Sequence, residues 1–189
     1  MKTLPFSLGL AWASEQQLAK SFAAIARKQS NEFEILQSCT LFAQWSEDHL
    51  QKLKVFTKRH GSFPNPDPAR VRRSLFHGPR IGGFGLLRDL QDLLLLTHQA
   101  RTAWTALAQA AREMKEPDMI DTVQECADRT DRQIDWLCTR IKVAAPQALT
   151  VPVDLAEESR DLAAKMAIKL LLGALLVAAI GGAIMKRKA

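Results

Sequence analysis

Residues 61–68 read GSFPNPDP, and the reading of this stretch divides the chain. Pro64, Pro66 and Pro68 stand at alternate positions; each fixes φ and removes a backbone donor, so the segment follows an extended, solvated path rather than a helix. On both sides the pattern is helical. Residues 14–60 contain neither Gly nor Pro, and the complete absence of Tyr with only scattered Val argues against strands. The expectation is an all-α protein with two helices before the proline-rich stretch and two after it.

Working back from residue 61, Ser14-Glu15-Gln16-Gln17 has the form of a capping box, and Leu18, Phe22 and Ile25 follow at helical spacing. A first helix is expected from about Ser14, with residues 1–13 as a separate N-terminal segment. Asn31 and Glu34 offer a second capping box ahead of Leu36, Cys39, Ala43, Leu50 and Leu53. Ser46, followed by Glu47 and Asp48, offers a competing start. The break between the first two helices therefore lies at 30 or at 46.

Working forward, Asp67-Pro68 has the form of an N-cap followed by proline, and Gly78-Pro79 the form of a stop. Residues 69–76 between them make two basic, amphipathic turns. Gly82, Gly83 and Gly85 open the third helix; they read as a flexible turn in preference to a phosphate loop, because no GxGxxG or GK[ST] accompanies them. Leu86, Leu90, Leu93, Thr97, Ala100, Trp104, Ala108 and Ala111 share one stripe of that helix. Glu116-Pro117-Asp118 breaks the chain again. A fourth helix then carries Ile120, Val123, Ala127, Ile134, Cys138 and Ile141 until Pro146 ends it.

Four helices in this order predict an up-and-down antiparallel bundle over residues 14–146, with residues 58–83 as a long basic connection. In that topology the connection and the end of the fourth helix lie at the same end. Residues 147–154 form a linker, and residues 155–189 a charged stem that runs into a C-terminal transmembrane helix. Residues 170–185 carry no charge and are followed by Lys186, Arg187 and Lys188. Sixteen residues span only ~24 Å of a ~30 Å hydrocarbon core, so Lys165 and Lys169 extend the span by snorkelling. Ala174, Ala178 and Gly182 lie four apart, a small-residue pattern through which two membrane helices can pack as a homodimer.

The net charge of +6 is concentrated: residues 58–80 hold six cations against one carboxylate. Local basicity of this kind points to an anionic surface rather than to nucleic acid. Arg70, Arg72, Arg73 and Arg80 are the residues expected to meet the lipid bilayer and its anionic headgroups. Trp136 lies off the apolar side of the fourth helix among Arg129, Arg132 and Arg140. It is roofed by the N-terminal segment, stacked under arginine stems, or a contact for a protein partner. Cys39, Cys126 and Cys138 match no metal or redox spacing and read as reduced and buried.

In helix count, helix length and long mid-chain connection, residues 14–145 resemble the ferritin-like superfamily. That resemblance implies inward carboxylates on all four helices and Glu-x-x-His on two of them. No Glu-x-x-His occurs. Glu15 and Glu32, the carboxylates expected to face inward, open successive antiparallel helices and so fall at opposite ends, while His49 sits on a flank and His98 on a polar side. No catalytic, cofactor-binding or metal residue is assigned, and no cofactor is expected. The function expected is a membrane-anchored, non-enzymatic scaffold or interaction module. The alternative is a ferritin-like bundle enzyme or a redox or metal protein. With no credible signal peptide, the expected location is a single pass through a bacterial inner or mitochondrial outer membrane, the N-terminal domain in the cytosol.

Overall fold

Leu4–Lys28 form α1, which begins ten residues earlier than the capping-box reading predicted. Pro5 does not obstruct it, because a first-turn residue has no intrahelical partner for its N–H. Leu8 and Ala11 extend the apolar stripe, so burial favours the longer helix. The structure is a computed structural model that describes residues 3–78, 80 and 82–151. The described residues up to Leu149 belong to one compact unit.

Gln29, Ser30, Asn31 and Glu32 separate α1 from α2, Phe33–His60. Ser46 is fully buried inside α2, which places the break at 30; no side chain caps the start of α2, so the Asn31 and Glu34 box does not form. Beyond the proline-rich path lies a short helix, α3, Asp67–Ser74. Its start is stabilised one step earlier than expected: Asp67 N–H donates to Asn65 Oδ1 at 2.9 Å. The long helices α4, Gly82–Met114, and α5, Pro117–Thr150, complete the described chain. Pro146 does not end α5 but lies inside its last turns. Ala148 beyond it is buried, and the Cβ position of Gly83 comes within 3.9 Å of it, so packing favours continuation.

Each long helix buries a stripe spaced alternately by three and four residues. On α1 it is Leu8, Ala11, Glu15, Leu18, Phe22 and Ile25, and on α2 Ile35, Cys39, Phe42, Ser46, His49, Leu53 and Phe56. On α4 it runs from Leu90 through Leu93, Thr97, Ala100, Trp104 and Leu107 to Ala111. On α5 it runs from Met119 through Val123, Cys126, Thr130 and Gln133 to Leu137. Such stripes pack as knobs into holes around a shared axis.

The directions of the helices differ from the up-and-down expectation. Lys28 at the end of α1 pairs with Asp89 near the start of α4. Arg59 at the end of α2 pairs with Glu116 and Asp118 beyond the end of α4, and Glu34 at the start of α2 pairs with Arg140 late in α5. Helices α2 and α4 are therefore parallel. The chain between them must travel the length of the bundle instead of turning back at one end. Two glycines let it lie close. A Cβ at Gly9 would fall 1.7 Å from the Phe63 carbonyl oxygen, and one at Gly85 would fall 2.3 Å from the Arg80 carbonyl carbon. Phe63 N–H donates to Pro5 O at 3.0 Å, fixing the start of this strap against α1.

Candidate functional site

Halfway along the bundle the apolar interior is interrupted. One core cluster is built on Leu18, Phe22, Phe42 and Leu93, the other on Leu8, Leu53, Leu107 and Val123. Between them lie Glu15 and His49, both fully buried. Trp104 Nε1 donates to Glu15 Oε1 at 2.8 Å, and His49 Nδ1 lies 3.2 Å from the same oxygen. The His49 and Trp104 rings meet edge to face with centroids 5.6 Å apart. Ser46 and Gln133 extend this polar layer and are fully buried; Ser46 Oγ, Gln133 Oε1, Glu15 Oε2 and both His49 ring nitrogens have no hydrogen-bond partner among the described residues, so His49 meets Glu15 by proximity alone.

The expected positions of Glu15 and His49 are thus corrected. Glu15 is mid-helix because α1 starts at Leu4, and His49 points inward because the buried stripe of α2 passes through it. Cys126, from the same level of α5, has its thiol pushed up to about 12, first by burial and then by the charge of Glu15. Burial also pushes Cys39 up to about 12. Neither thiol is a ready nucleophile, since the thiolate is the reactive form. The residues do not fit the two-metal site of ferritin-like proteins. Ser46 stands three before His49 where the pattern asks for Glu, Thr130 and Gln133 line α5, and no three His, Cys, Asp or Glu converge on a metal position among the described residues.

A second arrangement lies outside, where α3 packs along α1. Arg72 Nε donates to Ser21 Oγ at 2.8 Å. This contact sets Arg72 beside Lys20 and Arg27 of α1 around a groove of about 550 Å³ that Glu47 of α2 also borders. Arg70 is exposed, 3.6 Å from Asp67. Arg73 is exposed, its Nε donating to the Ala69 carbonyl oxygen. Arg80 is turned inward rather than outward: its guanidinium bonds Asp89 at 2.9 Å and also Asp92, with only 9% of the side chain exposed. The lipid-facing set read from sequence therefore splits, with three arginines on the flank and Arg80 bracing the strap. Lys20, Arg27 and Lys28 were missed because they sit on another helix; their charge at helical spacing is the sequence signal for a basic face.

Trp136 is half-buried, and its cover comes from Phe42 of α2, edge to face at 5.3 Å, a source not anticipated. Arg129 stacks instead on Trp45. Gly85 serves close packing against the Arg80 backbone. Ala174, Ala178, Gly182 and the rest of the expected membrane helix lie outside the described residues, among which no helix is long and apolar enough to cross a membrane. No family model, curated protein or solved structure matches this chain.

Proposed function

We propose that this chain is a membrane-held helical-bundle module, non-enzymatic, that presents a basic face to an anionic lipid surface or an acidic protein partner. The observation that carries this reading is the docking of α3 on α1, which gathers Arg72, Lys20 and Arg27 on one side of the bundle. Each cation held near an anionic surface contributes on the order of 1 kcal/mol, so several on one face give usable affinity. The uncharged run at residues 170–185 supplies the anchor in this reading, with the bundle in the cytosol and homodimerisation through Ala174, Ala178 and Gly182.

Residues 1–151 contain the compact unit and its core, and so serve as the anchorless form. Sedimentation with vesicles is expected to recover them with anionic but not zwitterionic lipid, and binding is expected to weaken as salt rises. Replacing Arg70 and Arg73 by Ala should reduce it. Equal recovery with neutral vesicles, or binding indifferent to salt, would remove the reading.

A second reading has its own support. One long crossover between parallel α2 and α4 is the connectivity of ferritin-like bundles, and Glu15 and His49 occupy the mid-bundle level of the first two helices. On this reading the chain is a ferritin-like relative whose interior keeps an acid–base pair in place of metal ligands. Stoichiometric iron retained by full-length protein after loading and desalting would instead restore a metal function.

A further inference from the structure

Where the strap approaches α4, a cavity of about 240 Å³ opens between α1, α3 and the segment leading to α4. Its walls include Ser21 and Lys28 of α1, Arg72 of α3, Phe76 and Arg80 of the strap, and Asp89 of α4. Three cations thus converge from three separate parts of the chain. Asp89 divides its two oxygens between Lys28 and Arg80, and Asp92 takes a second Arg80 nitrogen. Arg72 has no carboxylate partner among the described residues; Ser21 accepts from its Nε, which holds the guanidinium in place. Two carboxylates against three cations leave one positive charge without a counter-charge.

The geometry of these groups is set before any ligand arrives. Arg80 is nine-tenths buried, stacks on Phe76 at 5.5 Å, and keeps its Nε buried without a hydrogen-bond acceptor. Phe76 adopts a left-handed φ of 61° and donates its N–H to Asp92, so the strap bends around this point at a conformational cost. Lys28 is 41% exposed and borders the cavity with its ammonium paired to Asp89. The Ser21 hydroxyl accepts from Arg72 and retains its own proton for a further acceptor. A planar guanidinium, an ammonium and a hydroxyl donor around a small cavity match a tetrahedral oxyanion with several acceptor oxygens.

We infer that this cavity binds a phosphate group, held by Arg72, Lys28 and Ser21 and backed by the buried charge of Arg80. The inference rests on the proposed anionic-surface reading and names the chemistry that the face takes up. The group can belong to a lipid headgroup or to free phosphate. Lys20 and Arg27 in the adjoining groove, which shares Arg72, extend the positive field beyond the cavity.

The test is calorimetric titration of full-length protein in nonionic detergent with inorganic phosphate and, separately, with a water-soluble short-chain phosphatidic acid. Both should bind, and Arg72→Gln and Ser21→Ala should each weaken binding about tenfold, the loss expected of one charge-assisted hydrogen bond. Tighter binding of the phosphatidic acid identifies a lipid headgroup as the source; equal binding identifies free phosphate. No heat with millimolar phosphate of either kind, or binding indifferent to both substitutions, overturns the site. Ser21→Ala keeps the test interpretable if Arg72→Gln perturbs the strap. Vesicle sedimentation of residues 1–151 fails or succeeds independently, so loss of the cavity and loss of the basic-face reading are distinguishable.

Discussion

Glu15 Oε1 lies 3.2 Å from His49 Nδ1, and both side chains are sealed from solvent between the two halves of the core. A carboxylate and an imidazole in apolar surroundings hold a bundle in one register only if each finds the other, because a slipped register leaves either group buried and unpaired.

Breaking this contact should be costly. Glu15→Ala leaves the Trp104 N–H and the His49 ring without their partner and is expected to destabilise the protein by about 3–5 kcal/mol in urea unfolding. Replacing Glu15, His49 and Trp104 together by Met, Leu and Phe should restore most of that loss, since none of these three polar groups is then stranded. A triple variant as unstable as Glu15→Ala would show that the polar contact is not the determinant.

The strap depends on two missing side chains. Gly9→Ala would place a methyl 1.7 Å from the Phe63 carbonyl oxygen, and Gly85→Ala one 2.3 Å from the Arg80 carbonyl carbon. Backbone cannot yield as a flexible side chain does, so each should cost about 1–3 kcal/mol, as overpacking does. Limited proteolysis should then cut residues 61–66 faster in Gly9→Ala. An unchanged rate would mean that Phe63 does not hold the strap.

Acid should weaken the join between α2 and α5. Asp118 is held below its ordinary 3.8 chiefly by the hydrogen bond from Arg59, and Glu125 below its ordinary 4.5 chiefly by that from Lys52. A depressed carboxylate contributes stability that is complete above its unfolded pKa and is lost as pH falls through the folded one. Melting temperature should therefore decline below about pH 4.5, and Asp118→Asn with Glu125→Gln should flatten that decline. Both carboxylates are exposed, so the effect is small and salt-sensitive.

Cysteine reactivity should follow burial. Cys39 and Cys126, each pushed up to about 12, should resist a thiol reagent at neutral pH in the native protein and react on unfolding. Cys138 is only half-buried and should react first. Rapid modification of all three in native protein would mean that the interior opens readily.

Much of this architecture could be read along the chain, and the errors have a common cause. Selecting apolar residues on α2 gave Leu36, Cys39, Ala43, Leu50 and Leu53, a stripe that avoids His49. The alternation of three and four continues instead through Phe42, Ser46, His49 and Leu53, polar residues included. Glu15 reads as an inward carboxylate and is one, but as a capping residue it is set at the end of a helix, although Leu8 and Ala11 continue its stripe on the other side. Polar members of a buried stripe are invisible to a hydrophobic pattern, and they form the interior site.

The sequence by itself determined that the chain is helical, that it breaks near residues 61 and 116, and that its positive charge gathers on the middle connection, but left the first break open between 30 and 46. Only the tertiary structure decided where that connection goes. A helix of 28 residues is about 42 Å long, and the 21 residues from 61 to 81 can reach about 70 Å when extended. Length therefore permits either a return at one end or a crossover. The choice rests on contacts between residues far apart in the chain, Phe63 with Pro5, Lys28 with Asp89 and Arg59 with Asp118, which no local pattern encodes.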